Sequence, residues 1–483
     1  MSSASLTGEL NGGFSNEDKY LASFWMWTHP LFPVVHKPSF DLQTASPVLR
    51  STMLALGAHM LHDSTDANNA RLIHESVQKV LKKRAANGWD TYRVCDLQGY
   101  ILHEVFAIFR SRRPPLQLSK NFDDVYRYLV RDYADVNQDS TDPVQAHNGF
   151  GTHAEDNTLM IEKVCKQRLL IACYTIDQQH AMLFGRQRTE CMNGYMTGLS
   201  LPFVQSQSYW DASQNIPHEI WTPKDTEAVS QHGQVYEALA STSMMTTQSK
   251  LTYDALRSTL LLSSLTDPDN DLRACGIAMD DTTDPSFMLL AVEQSPRMRL
   301  TYYTLMLCRH TPIRDLLAVT GESWVLGEKL ASQAQYVGAQ LSARDWARGS
   351  VDMESPVRSA IHNALRILEI HLKHPKTGSL YQEWSVYLAA IVIWARAYTT
   401  DSKPKRGSQS AERPSAWEME QSVIATIAAG SNTLIERDAA KNVLLWTKSK
   451  IEQNVPHNSG LMNTALDVLG KLVTKGDDEG WFA

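Results

Sequence analysis

Apolar residues recur along this chain at steps of three and four. After Ser46-Pro47 they fall at Leu49, Met53, Leu56 and Met60. After Ser355-Pro356 they fall at Val357, Ile361, Leu365, Leu368 and Leu372. Each series winds one apolar stripe along a helix. Ser295-Pro296 and Thr311-Pro312 open two further periodic segments. Ser or Thr can accept from an orphan N–H of the first turn, and Pro at the first helical position forfeits no hydrogen bond. Leu97–Phe109 and Trp384–Trp394 are apolar on most faces, which suits the centre of a bundle. The chain shows no sustained period-two alternation, no βαβ rhythm and no recurring repeat of solenoid length. The pattern predicts an all-α protein, built as a single large helical bundle or array.

Polar stretches interrupt the pattern. Residues 1–17 read as a flexible tail, 131–157 as a long polar connection, 204–224 as a Pro-punctuated spacer, 400–415 as a Lys/Pro/Ser-rich loop and 476–483 as a second tail. The helical body is placed at residues 18–475.

Composition narrows the function classes. The chain has 483 residues, with 46 Lys+Arg against 53 Asp+Glu, a formal charge of −7. A mildly acidic chain is not held on nucleic acid by bulk charge. The longest apolar run, Val386–Ala395, is closed by Arg396 and falls short of the roughly 20 residues a bilayer span needs. The N-terminus has no basic segment followed by an apolar one, and no Asn is followed at +2 by Ser or Thr. An intracellular, reduced and membrane-free protein is expected.

Candidate chemistry is sparse. Cys95, Cys165, Cys173, Cys191, Cys275 and Cys308 never stand at CxxC spacing, so no metal site is expected in this chain. His59/His62 and His371/His374 are spaced one turn apart but lack further ligands in sequence. His103-Glu104 begins like the zinc-protease motif, which fails at Ala107. Gly321–Lys329 superficially resembles a P-loop, but its glycines are one residue too far apart and Glu328 stands where Lys is needed. Asp177 and His180, one turn apart, can face the same way and hydrogen-bond. His103, Glu104, Asp177 and His180 are therefore the acid–base candidates. Among the basic segments, Lys403, Lys405 and Arg406 lie in a polar loop and are the candidate nuclear-import patch.

Several segments resemble the fungal-specific transcription factor regulatory domain, the middle homology region of fungal zinc-finger and zinc-cluster transcription factors. Residues 20–60 are similar to the family's opening: an aromatic helix, then His29-Pro30-Leu31-Phe32-Pro33-Val34-Val35-His36 with Phe40, then a helix carrying Leu54–Ala58 with Gly57. Asp96–Arg113 resembles the following Leu-Gln helix. Gln167–Gln187 resembles the family's arginine–aspartate helix, with Arg168, Asp177, Gly185 and Arg186 in matching places and Gln167 where an arginine is common. Leu201–Ala212, with Pro202 and Trp210, matches the next segment, and Trp384–Tyr398 resembles a late core helix. The likeness covers about residues 18–470.

The resemblance implies regulation of RNA polymerase II transcription in the nucleus, with the cytoplasm as the alternative location. It also implies homo- or hetero-oligomers with related factors and a possible small-molecule effector. Family members carry their zinc and their DNA recognition in a finger region ahead of this domain. No such finger precedes residue 18 here, so zinc is expected only with a finger region absent from this N-terminus, and direct DNA binding is not expected. Two physical expectations accompany the match: Asp177 pairs with Arg186 across a helix end, and Phe32 and Phe40 plug into the bundle. The competing expectation is an enzyme of a fungal metabolite pathway built on the same helical fold.

Overall fold

In the computed structural model, Ser46, Ser295 and Ser355 each precede a helix that begins at the proline. At the fourth pair the helix begins one residue later, at Ile313. Of the four hydroxyls, that of Ser295 accepts from the N–H of Met298 at 3.2 Å. Ser46 Oγ instead donates to Asp96 at 2.7 Å and so joins two helices.

The structure describes residues 16–61, 63–84, 93–111, 115, 117–139, 153–189, 197–212, 234–243, 253–275, 289, 294–321, 332–349, 355–399, 414–431, 434–454 and 459–475. Lys403, Lys405, Arg406, His62, most of both tails and most of the P-loop-like segment lie outside them. The helices run α1 Glu17–Ser23, α2 Pro47–His59, α3 Ser64–Arg84, α4 Val94–Arg110, α5 Lys120–Asp139 and α6 His153–Phe184. There follow α7 Gln207–Ala212, α8 Val235–Ser243, α9 Ala255–Thr266, α10 Pro296–Arg309, α11 Ile313–Val319 and α12 Gln333–Ala347. The last five are α13 Pro356–Lys373, α14 Gln382–Thr399, α15 Ala416–Ala429, α16 Arg437–Asn454 and α17 Gly460–Lys475. Among the described residues there is one isolated β-bridge, Pro202 with Gln234, and no named strand. The all-α expectation holds.

The polar connection expected at 131–157 is shorter than its composition suggests. Helix α5 continues to Asp139, and α6 has begun by His153. Leu129 and Val130 are buried, and Asp132 accepts from Lys166 of α6 at 2.7 Å, which holds the polar turns of α5 on its neighbour. Likewise Gln207–Ala212 is helical within the expected 204–224 spacer.

The buried apolar side chains form one connected cluster that reaches from Tyr20 to Leu472. Helix α2 packs on α1, α3 and α4, while α14 packs on α13 and α16. Helix α6, about 48 Å long at 1.5 Å per residue, contacts α4 and α5 as well as α9, α10 and α11. As their patterns predict, α4 is buried from Leu97 to Arg110 and α14 from Gln382 to Ala397. Arg396 ends the apolar run by donating to the carbonyls of Ala347, the last residue of α12, and Gly349 just past it. Gly57 permits a close crossing of α2 on α1, because a Cβ there would sit 1.9 Å from the Tyr20 carbonyl oxygen. Among the described residues, no helix is long and apolar enough to cross a membrane.

Candidate functional site

The segments singled out in the sequence come together in space. After α1 the chain makes one π-helical turn, Phe24–Thr28, ahead of His29-Pro30. This turn gathers the aromatic side chains: Trp25 lies 4.7 Å from the His29 ring and 5.5 Å from Phe40. Phe32 is buried and Phe40 packs half-buried on the core, as expected. His29 donates from Nε2 to Val35 O at 2.9 Å. His36 donates from Nε2 to Trp210 O at 3.0 Å, which leaves Nδ1 to accept from Ser39 Oγ at 2.8 Å. Burial pulls His29 down to about 4 and lowers His36 as well, so both rings are neutral donors here.

Arg168 closes this clasp. Its guanidinium lies 3.8 Å from the centre of the Trp210 ring. It donates to Pro33 O at 3.4 Å, Gln205 O at 3.0 Å and Gln207 Oε1 at 2.8 Å. Desolvation lowers it to about 10, still charged at neutral pH. A buried cation held by carbonyl dipoles and an aromatic face is a structural joint. Three segments spread over residues 29–212 thus meet at one buried arginine.

The second constellation differs from the expectation. Asp177 is buried, and it pairs with Arg188 at 3.2 Å rather than with Arg186. It also accepts from the Thr189 N–H at 3.0 Å. Gly185 is the reason. Its φ of +61° ends α6 and turns the chain, so Arg186 points away and Arg188 comes back. Arg188 also bonds Asp267, which accepts from Tyr174 at 2.7 Å. Burial raises Asp177 above the ordinary carboxylate range, and Arg188 partly offsets this. His180 makes no hydrogen bond to Asp177; it packs on Phe184 at 5.2 Å, and burial with nearby Arg186 lowers it to about 3. The Asp177–His180 dyad is not assembled.

His103 and Glu104 lie at a smaller cleft of about 410 Å³. His103 stacks on His74 at 4.1 Å with 13° between the planes, and burial takes it to about 4. Glu104 accepts from both the N–H and the Oγ of Ser119, at 2.9 and 3.0 Å, and burial raises it. The carboxylate thereby caps the start of α5 rather than facing a proton-transfer partner. In the His371/His374 pair, His371 faces the core and is bonded to Gln382 at 2.9 Å, while His374 is exposed. Among the described residues no three His, Cys, Asp or Glu side chains converge as metal ligands.

A cleft of about 940 Å³ opens between the end of α6, the end of α9 and the α10–α11 turn. Arg186, Arg188, Arg309 and Arg314 line it, with Asp269 and Asp315. The sequence reading found Arg186 here but missed the other three, two of which stand more than a hundred residues away. The GRQR run at Gly185–Arg188 is the local signal that could have drawn Arg188 in.

Comparison with known proteins decides the family. The family model described as fungal specific transcription factor domain matches residues 21–274. This chain belongs to that family. Zinc finger protein zas1 of Schizosaccharomyces pombe is 22% identical over 210 residues, 42% of this chain and 22% of that protein. Zinc finger protein klf1 of the same yeast is 22% identical over 215 residues, 43% of this chain and 26% of its own length. Transcription factor verF of Penicillium polonicum is 33% identical over 67 residues, 14% of this chain and 9% of that protein. The matches thus span about a quarter or less of these relatives. No solved structure matches. The clasp at Arg168 falls inside the family match, as do Asp177, Gly185 and Arg186 of the second constellation. None of the three relatives is named as an enzyme, and the enzyme alternative gains no support.

Proposed function

We propose that this chain is the regulatory domain of a fungal transcription factor. It alters RNA polymerase II transcription through partners or an effector, and does not itself read bases. The observation that carries this reading is the family match over 21–274, within which the matching segments gather at Arg168. The connected apolar cluster from Tyr20 to Leu472 supports treating 18–475 as one unit. Related transcription factors are its proposed oligomeric partners, and the nucleus its site of action. Lys403, Lys405 and Arg406 are the proposed import patch.

The test tethers the full chain to a foreign DNA-binding domain upstream of a reporter. Reporter output changes several-fold, and Arg168→Leu abolishes the change. An unchanged output from a well-expressed, folded fusion overturns the reading. The untethered chain shows no sequence-selective duplex binding in a mobility-shift assay; submicromolar selective binding would contradict that part. Replacing the three import residues by alanine moves a fluorescent fusion into the cytoplasm, and nuclear retention counts against the patch.

A further inference from the structure

Of the four arginines that line the cleft at the end of α6, Arg186 and Arg314 form no ion pair among the described residues. Arg188 is committed to Asp177 and Asp267 behind the wall. Arg186 forms no ion pair among the described residues, and its Nε and Nη1 are buried without a hydrogen-bond partner. Its guanidinium rests 5.8 Å from the Phe184 ring, a partial substitute for a counter-ion. Arg314 is exposed and likewise forms no ion pair among the described residues.

The two residues lie where the end of α6 and the start of α11 meet. A Cβ at Gly185 would lie 2.5 Å from the Arg314 backbone nitrogen, so the two backbones touch. Two arginines without an ion pair among the described residues thus line one cleft. Thr311 lines the same cleft, and its Oγ1 is buried without a hydrogen-bond partner among the described residues. An underbonded guanidinium beside a second cation is stabilised by an anion, and Arg matches the forked oxygens of carboxylate and phosphate. Asp269 and Asp315 on the rim disfavour ligands of unlimited charge, and Asp315 is engaged by Ser342 at 2.6 Å. The volume, about 940 Å³, exceeds what an inorganic ion fills and falls in the range of sites for small organic ligands.

We infer that this cleft binds a small organic anion, holding its carboxylate or phosphate group between Arg186 and Arg314. That occupancy regulates transcription rests on the reading above; the binding itself does not.

The test is calorimetric titration of the full chain with citrate, with glycerol phosphate and with neutral glycerol. Citrate or glycerol phosphate binds saturably, with Kd of about 1 mM or tighter, and glycerol does not. The preferred anion tells carboxylate from phosphate. Arg186→Gln and Arg314→Gln each weaken binding about tenfold. Arg366→Gln, on the exposed face of α13, leaves it within about twofold. Arg314 is exposed, so its variant keeps the test valid should Arg186→Gln unfold. Absence of saturable binding by either anion at about 10 mM overturns the inference. Equal weakening by Arg366→Gln does the same. A polyglutamate peptide that binds more tightly than both anions would make the cleft a peptide-docking surface and overturn the small-molecule assignment. Anion binding by a chain that is inert in the reporter assay would sink the regulatory reading and leave the site standing.

Discussion

Arg168 concentrates the energetics of the family segments in one side chain. Its planar guanidinium stacks on Trp210 and reaches two backbone carbonyls and Gln207 together. A lysine ammonium cannot keep the stacked fork. Arg168→Lys is expected to destabilise the chain by about 1–3 kcal/mol, read as a lower urea midpoint at unchanged m-value. An unchanged midpoint would show that the clasp carries no stability. At this scale the sequence was informative about identity and poor about pairing. Arg168, Trp210, Pro33 and His36 were all named, yet nothing in their spacing says that they touch. Asp177 was paired with Arg186 in sequence and with Arg188 in space. The positive φ at Gly185 breaks the helical register that spacing arguments assume.

Among the elements, α4 and α14 were legible because helices apolar on most faces have one place to go. One polar exception on each meets the other: Arg110 and Glu383, both buried, lie 3.6 Å apart. Removing one partner leaves an uncompensated buried charge, whereas removing both need not. Glu383→Leu alone should destabilise by about 3–5 kcal/mol, and adding Arg110→Leu should recover most of that loss. Denaturant unfolding of the two single variants and the double variant checks this; additive losses would refute the coupling. The end of α5 was less legible. Its last turns are polar enough to read as loop, and they remain helical because Lys166 of another helix holds Asp132. A tertiary contact thus overrides a local signal there.

For the whole molecule, the buried histidines set an acid limit. His29, His103 and His371 are brought to about 4 and His180 to about 3, chiefly by burial, and His74 is also lowered. Unfolding frees these rings to protonate near pH 6.5, so between about pH 6.5 and 4 the unfolded chain binds more protons. Stability therefore falls as pH drops through that window, by at most about 1.4 kcal/mol per pH unit for each ring. Asp177 and Glu104, raised by burial, act in the opposite direction but are outnumbered. The urea midpoint should be clearly lower at pH 5 than at pH 7.5, and His103→Leu should narrow the difference. A midpoint that rises on acidification would reverse the assignment. The anion cleft was the least legible feature, because Arg309 and Arg314 come to the cleft that Arg186 lines only through the packing of α10 and α11 on α6. The clasp also carries a temporal consequence. His36 waits 174 residues for the Trp210 carbonyl. At roughly 5–20 residues per second of synthesis, that is about 9–35 s in which the N-terminal aromatic turn has left the ribosome without its partner. A nascent chain stalled before Trp210 would thus leave His36 without its acceptor and Arg168 without its aromatic face, and the arrival of a single tryptophan would close the joint.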